Sequence, residues 1–540
     1  MVFARRSTTL LAAIIASCAM VLSLTACTSD NKTVVDGQTT VTSNSAGGVA
    51  VFTPSDGITL NQQTPLNKWA KLVPDLAKAL ADAGFKKGDI DHTTSDSLAK
   101  QSRAIQDFVV DHLSNNTTDD SGIAIAPDNM TLLVAPVVEA DASTRQYGDY
   151  VSQNLSTNDV TDEGATSDGE SSEDDSSKDD SSNTESDSTA SDEQAQAVDR
   201  LVSSLKLAKE SGMHVVLLGN SIEGYKPDAF VKFSDAQTIG KLQAEKMVSK
   251  LKLDKASKDN PKYIEVLLPY TAVDEKGNAN DSTFAQEAFR GIWQVLGSYY
   301  QKGVVESPSG TLDGKSTEND WQAVAYDAAE EGSTAKVLDK RLAKTDGQST
   351  LTRIDGIITM NDYIASEVVK ELDDLGYTGS AADINPQITI SGIVGNITGK
   401  KDLSRDAVPD PIKSPENDNA NDSSSSDDDA DEDTSASDKD RDSQWPLVTG
   451  YGAYVSNIPS IVNGKQWMTG MEDRQTIATD IAQACAKLNK DEALNSMPSI
   501  RNSEVGGVKK IPTISEPLLA VSASNLKSAL IDPGYISLAD

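Results

Sequence analysis

Asp355-Gly-Ile-Ile-Thr-Met-Asn-Asp-Tyr-Ile-Ala365 is the stretch on which the fold turns. Its apolar run Gly356–Thr359 reads as a buried strand, and from Asp362 to Leu375 the apolar residues recur at helical spacing. The segment is therefore a strand, a tight turn and a helix. An aspartate suits the start of that helix, because its carboxylate accepts from the first unpaired backbone N–H groups.

The same unit repeats in both directions along the chain. Upstream, Gly48–Thr53 is strand-like, and Pro65–Ala83 carries Leu66, Trp69, Leu72, Val73, Leu76 and Leu80 at a helical period before Gly84 ends it. Then come helix Ser97–Leu113, strand Met130–Val138, helix Arg200–Ser211 closed by Gly212, and strand His214–Leu218. A second series runs through strand Ala229–Phe233, helix Ala236–Leu251, strand Tyr263–Leu268, helix Thr283–Gln301 and helix Asp320–Leu342. Beyond the opening segment, strand Gln387–Ile390 follows. Alternation of this kind predicts an α/β protein of two doubly wound lobes, each a parallel sheet covered by crossover helices. Ligands of such sheets lie outside the carboxyl ends of the strands, which directs attention to the loops after Val51, Val134, Leu218, Leu268, Thr359 and Ile390.

With 540 residues the chain is long enough for two or three cores. Arg5 and Arg6 precede an apolar run from Leu10 to Leu24, too short for a spanning helix, so residues 1–26 read as a signal peptide. Leu24-Thr-Ala-Cys27 resembles a bacterial lipobox, which implies that Cys27 becomes the lipidated first residue, held on the extracytoplasmic face of the cell membrane. Cys18 lies in the removed segment, so Cys485 is left as the one thiol of the folded part, and a disulfide there is excluded by counting. Cys485 falls in a helical pattern, Thr476–Leu488, as a small buried apolar residue. His92, His112 and His214 lack ligand-like spacing, and no metal or cofactor site is expected.

The net charge of −35 disfavours nucleic acid and anionic membrane as partners. Two Ser/Asp tracts hold most of it: 152–198 carries −13 and 414–444 carries −10, leaving −12 for the rest. Neither tract has the apolar content to offset chain entropy, and both are expected to be disordered, as is the tether over 27–47.

The opening segment, the helix that follows it to Gly376-Tyr-Thr-Gly379 and the strand into Ser391-Gly392 resemble the type I periplasmic sugar-binding proteins. Phe230-Val-Lys-Phe-Ser-Asp-Ala-Gln-Thr-Ile-Gly-Lys-Leu-Gln-Ala244 and Ile461-Val-Asn-Gly-Lys-Gln-Trp-Met-Thr469 resemble further blocks of that family. The tail, with Ile511-Pro-Thr, Asn525-Leu-Lys and Asp532-Pro-Gly-Tyr-Ile536, resembles its xylose-binding branch. The resemblance implies a three-strand hinge near Asn220–Gly224, Ile393–Asn396 and Thr469–Asp473. It would place 48–222 and 395–470 in the first lobe, with both acidic tracts, and 223–394 and 471–540 in the second.

A sugar needs hydroxyl-binding Asp, Asn and Arg and an aromatic wall. By the resemblance, Asn361 and Asp362 match an Asn-Asp pair that contacts ligand hydroxyls, with Asp362 as a plain helix cap the other reading. Arg290 matches a position where a ligand contact and a surface ion pair are equally open. Asp56, Trp69 and Asn220 complete the first-lobe set, Trp69 equally suiting the core. The chain departs from the pattern where Gly392-Ile-Val-Gly-Asn396 replaces an acidic group, leaving Asn396 as the nearest substitute. It departs again where Glu472 stands for a lysine, and where Thr283 and Phe284 replace two asparagines with Asn280 and Asp281 just upstream. The implied function is that of a monomeric, non-enzymatic solute-binding lipoprotein delivering a monosaccharide to the permease of an ABC importer. A sensory or adhesive lipoprotein is the rival reading, and a glycosidase, needing two facing carboxylates, a remoter one.

Overall fold

The computed structural model describes residues 46–55, 65–115, 125–138, 145–151, 153–156, 185–273, 280–328, 330–343, 351–381 and 443–536, with short strands at 32–35 and 38–41. Cys27, Asp56, Asn396, the strand expected over 387–390, the crossing expected at 393–396 and most of both acidic tracts lie outside them.

The first lobe is built on a seven-stranded sheet in the order Ile500–Val505, Val508–Ser515, Ala229–Lys232, His214–Leu218, Met130–Val134, Gly48–Pro54, Ile90–Ser95. All neighbours are parallel except the first pair, an antiparallel hairpin. The strands alternate faces as the pleat requires. Val49, Val51, Leu133, Val216, Leu218 and Val231 pack against helices Trp69–Asp82 and Arg474–Leu488, the latter bringing in a fully buried Cys485. Ala50, Phe52, Leu132, Val134, Val215, Leu217 and Phe230 pack against helices Leu98–Asn115 and Glu185–Glu210 on the other face. Burial on both faces is why the central strands read as unbroken apolar runs.

The second lobe centres on a parallel four-stranded sheet, Val305–Glu306, Lys262–Val266, Gly356–Ile358, Leu447–Val448. Helices Ala236–Leu251 and Thr283–Gln301 cross so closely that a Cβ on Gly240 would lie 2.2 Å from the Ala288 carbonyl oxygen, and one on Gly291 2.0 Å from that of Gln237. Only glycine permits this contact, and it draws the beginnings of the two helices together. A two-stranded sheet, Met468–Met471 with Leu519–Ser522, completes the lobe.

The chain crosses between lobes at 233–235, between the first-lobe strand Ala229–Lys232 and the helix Ala236–Leu251. It returns at 472–473, between Met468–Met471 and Arg474–Leu488, and leaves again at 516–518. This corrects several expectations. Asn220–Gly224 is no crossing, because Ala229–Lys232 still pairs with His214–Leu218. Leu447–Val448 belongs to the second lobe and the hairpin 500–515 to the first, the reverse of the expected assignment. The second acidic tract therefore ends in the second lobe, where its last residue, Gln444, pairs with Thr378. Helix Glu185–Glu210 begins inside the stretch expected to be disordered, and two antiparallel strands lie within the expected tether. The single helix expected over 320–342 is instead a helical turn at Asp320–Ala323, a strand at Ala325–Tyr326 and a helix at Ser333–Arg341. Gly332, in left-handed backbone (φ 76°), separates the last two. Among the described residues no helix is long and apolar enough to cross a membrane.

Candidate functional site

The loops that leave the carboxyl ends of both sheets face one another across the interlobe gap. Asn361 is fully buried and is itself the cap of helix Asp362–Leu375: its Oδ1 accepts from Ile364 N at 2.9 Å. Its Nδ2 donates to Gln146 Oε1 of the first lobe at 3.1 Å. Asp362, expected as cap or ligand group, is not the cap, which Asn361 supplies. Its carboxylate is turned inward to accept from Gln466 Nε2 at 2.7 Å, Tyr454 N at 2.9 Å and Thr469 Oγ1 at 2.9 Å. Burial pushes its pKa up to about 6 against these donors, which pull it down. A carboxylate so enclosed ties a helix start to the late strands of the lobe and has little capacity left for a ligand.

The other expected residues are also engaged by their own chain. Trp69 sits in the first-lobe core, edge-on to Tyr150 (5.0 Å) and Phe233 (5.7 Å), so of its two readings the core one holds. Asn220 is buried and clamps two loops, accepting from Gln153 N at 3.0 Å and donating to Pro136 O at 2.9 Å. Asn280 closes its own loop by donating to Thr271 O at 2.9 Å. Arg290 pairs with Glu287 one helical turn away, the ion-pair reading.

Near these residues is a pocket of about 430 Å³, within the range of small-molecule sites. Val151, Gln153 and Asn154 form its first-lobe wall; Asp235 and Gln237 come from the start of one second-lobe helix, Asp281, Phe284 and Glu287 from the start of the other. Each acid is already held. Asp235 caps its helix through Thr238 N (2.7 Å) and pairs with Lys232 (2.8 Å); burial pushes it up, but these partners outweigh that and leave it below the usual carboxylate range. Asp281 accepts from Thr283 N at 2.9 Å, and Glu287 is the partner of Arg290. Carboxylates fixed in this way present oriented acceptors, amide side chains add donors, and the Phe284 ring supplies an apolar face. Such a set suits a small polyhydroxylated molecule. Among the described residues no cluster could hold a metal ion.

Sequence reasoning thus pointed beside the pocket more than at it: Asn220 and Arg290 each contact a lining residue, Gln153 and Glu287, and Asn280 directly precedes another, Asp281. The residues missed were Gln153, Asn154, Asp235, Gln237 and Glu287. The available signal was that Asp235 stands just before a helix, a position from which it also faces the gap.

No family model matches the chain, and no curated protein does. Several solved structures are similar. A solute-binding protein of an ABC transporter from Clostridium phytofermentans, with bound β-D-glucose, shares 16% identity over 91% of this chain and 98% of its own, at a TM-score of 0.43. A carbohydrate transporter solute-binding protein from Chloroflexus aurantiacus, in complex with D-glucose, shares 17% over 92% and 98%, also at 0.43. A periplasmic ribose ABC transporter protein from Conexibacter woesei shares 13% over 90% and 96%, at 0.42.

Proposed function

We propose that this chain is the solute-binding lipoprotein of an ABC importer, anchored through Cys27, which takes a small sugar into the interlobe pocket and passes it to a permease. The observation that carries the reading is the pocket itself: about 430 Å³, with walls from both lobes. A ligand that touches Gln153 and Asn154 on one side and Gln237 and Glu287 on the other binds the closed arrangement more tightly than an open one. By that difference, and by no more than it, the ligand shifts the lobes toward closure. The permease would read the closed form. The reading is one of binding and not of turnover, since every acid of the pocket is committed to a cap or an ion pair.

Isothermal titration of the full chain with pentoses, hexoses and short oligosaccharides tests this. Saturable binding of one sugar that is weakened by Gln237→Ala supports it. Binding of another solute class with no sugar bound, or release of product from chromogenic glycosides, overturns it.

A further inference from the structure

The segment Gln146-Tyr-Gly-Asp-Tyr-Val151 is fastened to one lobe and seated in the other. On the first lobe, Asp149 caps the helix Trp69–Asp82, which has no side-chain cap of its own: its carboxylate accepts from Trp69 N at 3.1 Å and pairs with Lys68 at 2.8 Å. Tyr150 stacks on Phe233 (4.7 Å) and donates to Lys68 O. Gly148 makes the turn between the two attachments. Its φ of 98° and the 2.6 Å that would separate a Cβ from Asn67 O leave room for no other residue.

Beyond that turn the segment enters the second lobe. The Tyr147 ring is buried among second-lobe side chains, 4.7 Å from Phe284 and 6.3 Å from Tyr451. Gln146 accepts twice from that lobe, its Oε1 from Asn361 Nδ2 at 3.1 Å and its backbone carbonyl from Tyr454 Oη at 2.6 Å. These are two donors facing the gap, and the groups they meet are an amide and a peptide oxygen, which accept as a sugar hydroxyl oxygen does.

We infer that residues 146–151 are an internal latch: Gln146 and Tyr147 occupy second-lobe groups that a ligand would use, hold the lobes together through the chain's own contacts, and must be displaced for ligand to bind there. The latch stands on geometry alone; only its competition with a ligand rests on the function proposed above.

Two measurements on the full chain test it. In hydrogen exchange, Gln146→Ala and, separately, Tyr147→Ala should speed exchange in peptides covering 361–366 and 450–456 by about fivefold to tenfold, the effect of losing one net hydrogen bond or apolar contact. Gln146 is only half-buried, so its variant keeps the test valid if Tyr147→Ala fails to fold. In titration with the sugar that binds best, Gln146→Ala should bind several-fold more tightly. Unchanged exchange in Gln146→Ala overturns the latch, and so does weaker sugar binding, which would make Gln146 a ligand contact. Faster exchange with no sugar bound by either form keeps the latch and removes the sugar-binding function.

Discussion

At one end of the interlobe gap Asn361, Tyr451 and Tyr454 all reach partners in the same chain: Gln146, Asn67 and the Gln146 carbonyl. At the other end, a few residues further along the same segment, Gln153 and Asn154 look across about 430 Å³ at Gln237, Phe284 and Glu287. The two ends offer similar chemistry, amides and hydroxyls around an aromatic ring. What separates them is whether the opposite wall approaches closely. Gly148 lets the backbone lie against Asn67 and so brings the first lobe to the second at one end, while beyond Val151 the chain turns away toward Asn220. An interlobe surface is therefore made into a contact or a site by backbone reach as much as by side-chain type.

Substitutions can break this contrast. The largest effect is expected of Asp362→Ala, which leaves Gln466, Thr469 and Tyr454 N without their buried acceptor and loosens the framework under Asn361; a loss of about 3–5 kcal/mol should appear in urea unfolding. Next is Glu472, buried between two crossing segments, where its Oε1 accepts from Ser234 N at 2.5 Å and faces Tyr451 Oη, with Asp235 nearby. Burial raises it to about 7, and Asp362 to about 6. Both folded values exceed the unfolded ones, so the stability these acids give is complete below about pH 4 and is lost as pH rises through 6 to 7. Glu472→Gln should therefore stabilise the protein at pH 8, by an amount on the order of 3 kcal/mol, and not at pH 4, in paired urea titrations.

Gly148→Ala should cost about 1–3 kcal/mol through positive φ and the clash with Asn67, and should speed exchange at the latched end while sparing the pocket end. The smallest effect sharpens the comparison: Gln237→Ala should leave the urea midpoint unchanged and weaken sugar binding about fivefold in titration.

The sequence displays much of this fold because buried strands and amphipathic helices carry their own period. Strand His214–Leu218 and helices Ala236–Leu251, Thr283–Gln301 and Asp362–Leu375 end where their patterns do. Ile90–Ser95 escaped because it is an edge strand whose Asp91, His92, Thr93 and Thr94 are exposed, leaving no apolar alternation to read. The lobe assignment of 443–540 escaped for another reason. Pairing of Val508–Ser515 with Ala229–Lys232 joins residues nearly 300 positions apart, and no local pattern specifies it. At the site, Asn361 was legible as a residue of a strand-to-helix turn. Gln146 and Tyr147 were not, since a segment held by scattered contacts to two lobes has no repeat.

Cys485 gives the first lobe a clock of its own. Its sulfur is enclosed between its helix and the seven-stranded sheet, and burial pushes its pKa up, so the reactive thiolate scarcely forms in place. An alkylating reagent can reach it only when helix Arg474–Leu488 lifts from the strands beneath. The rate at which this thiol is capped in native buffer thus counts how often the lobe comes apart, without denaturant and without an added label.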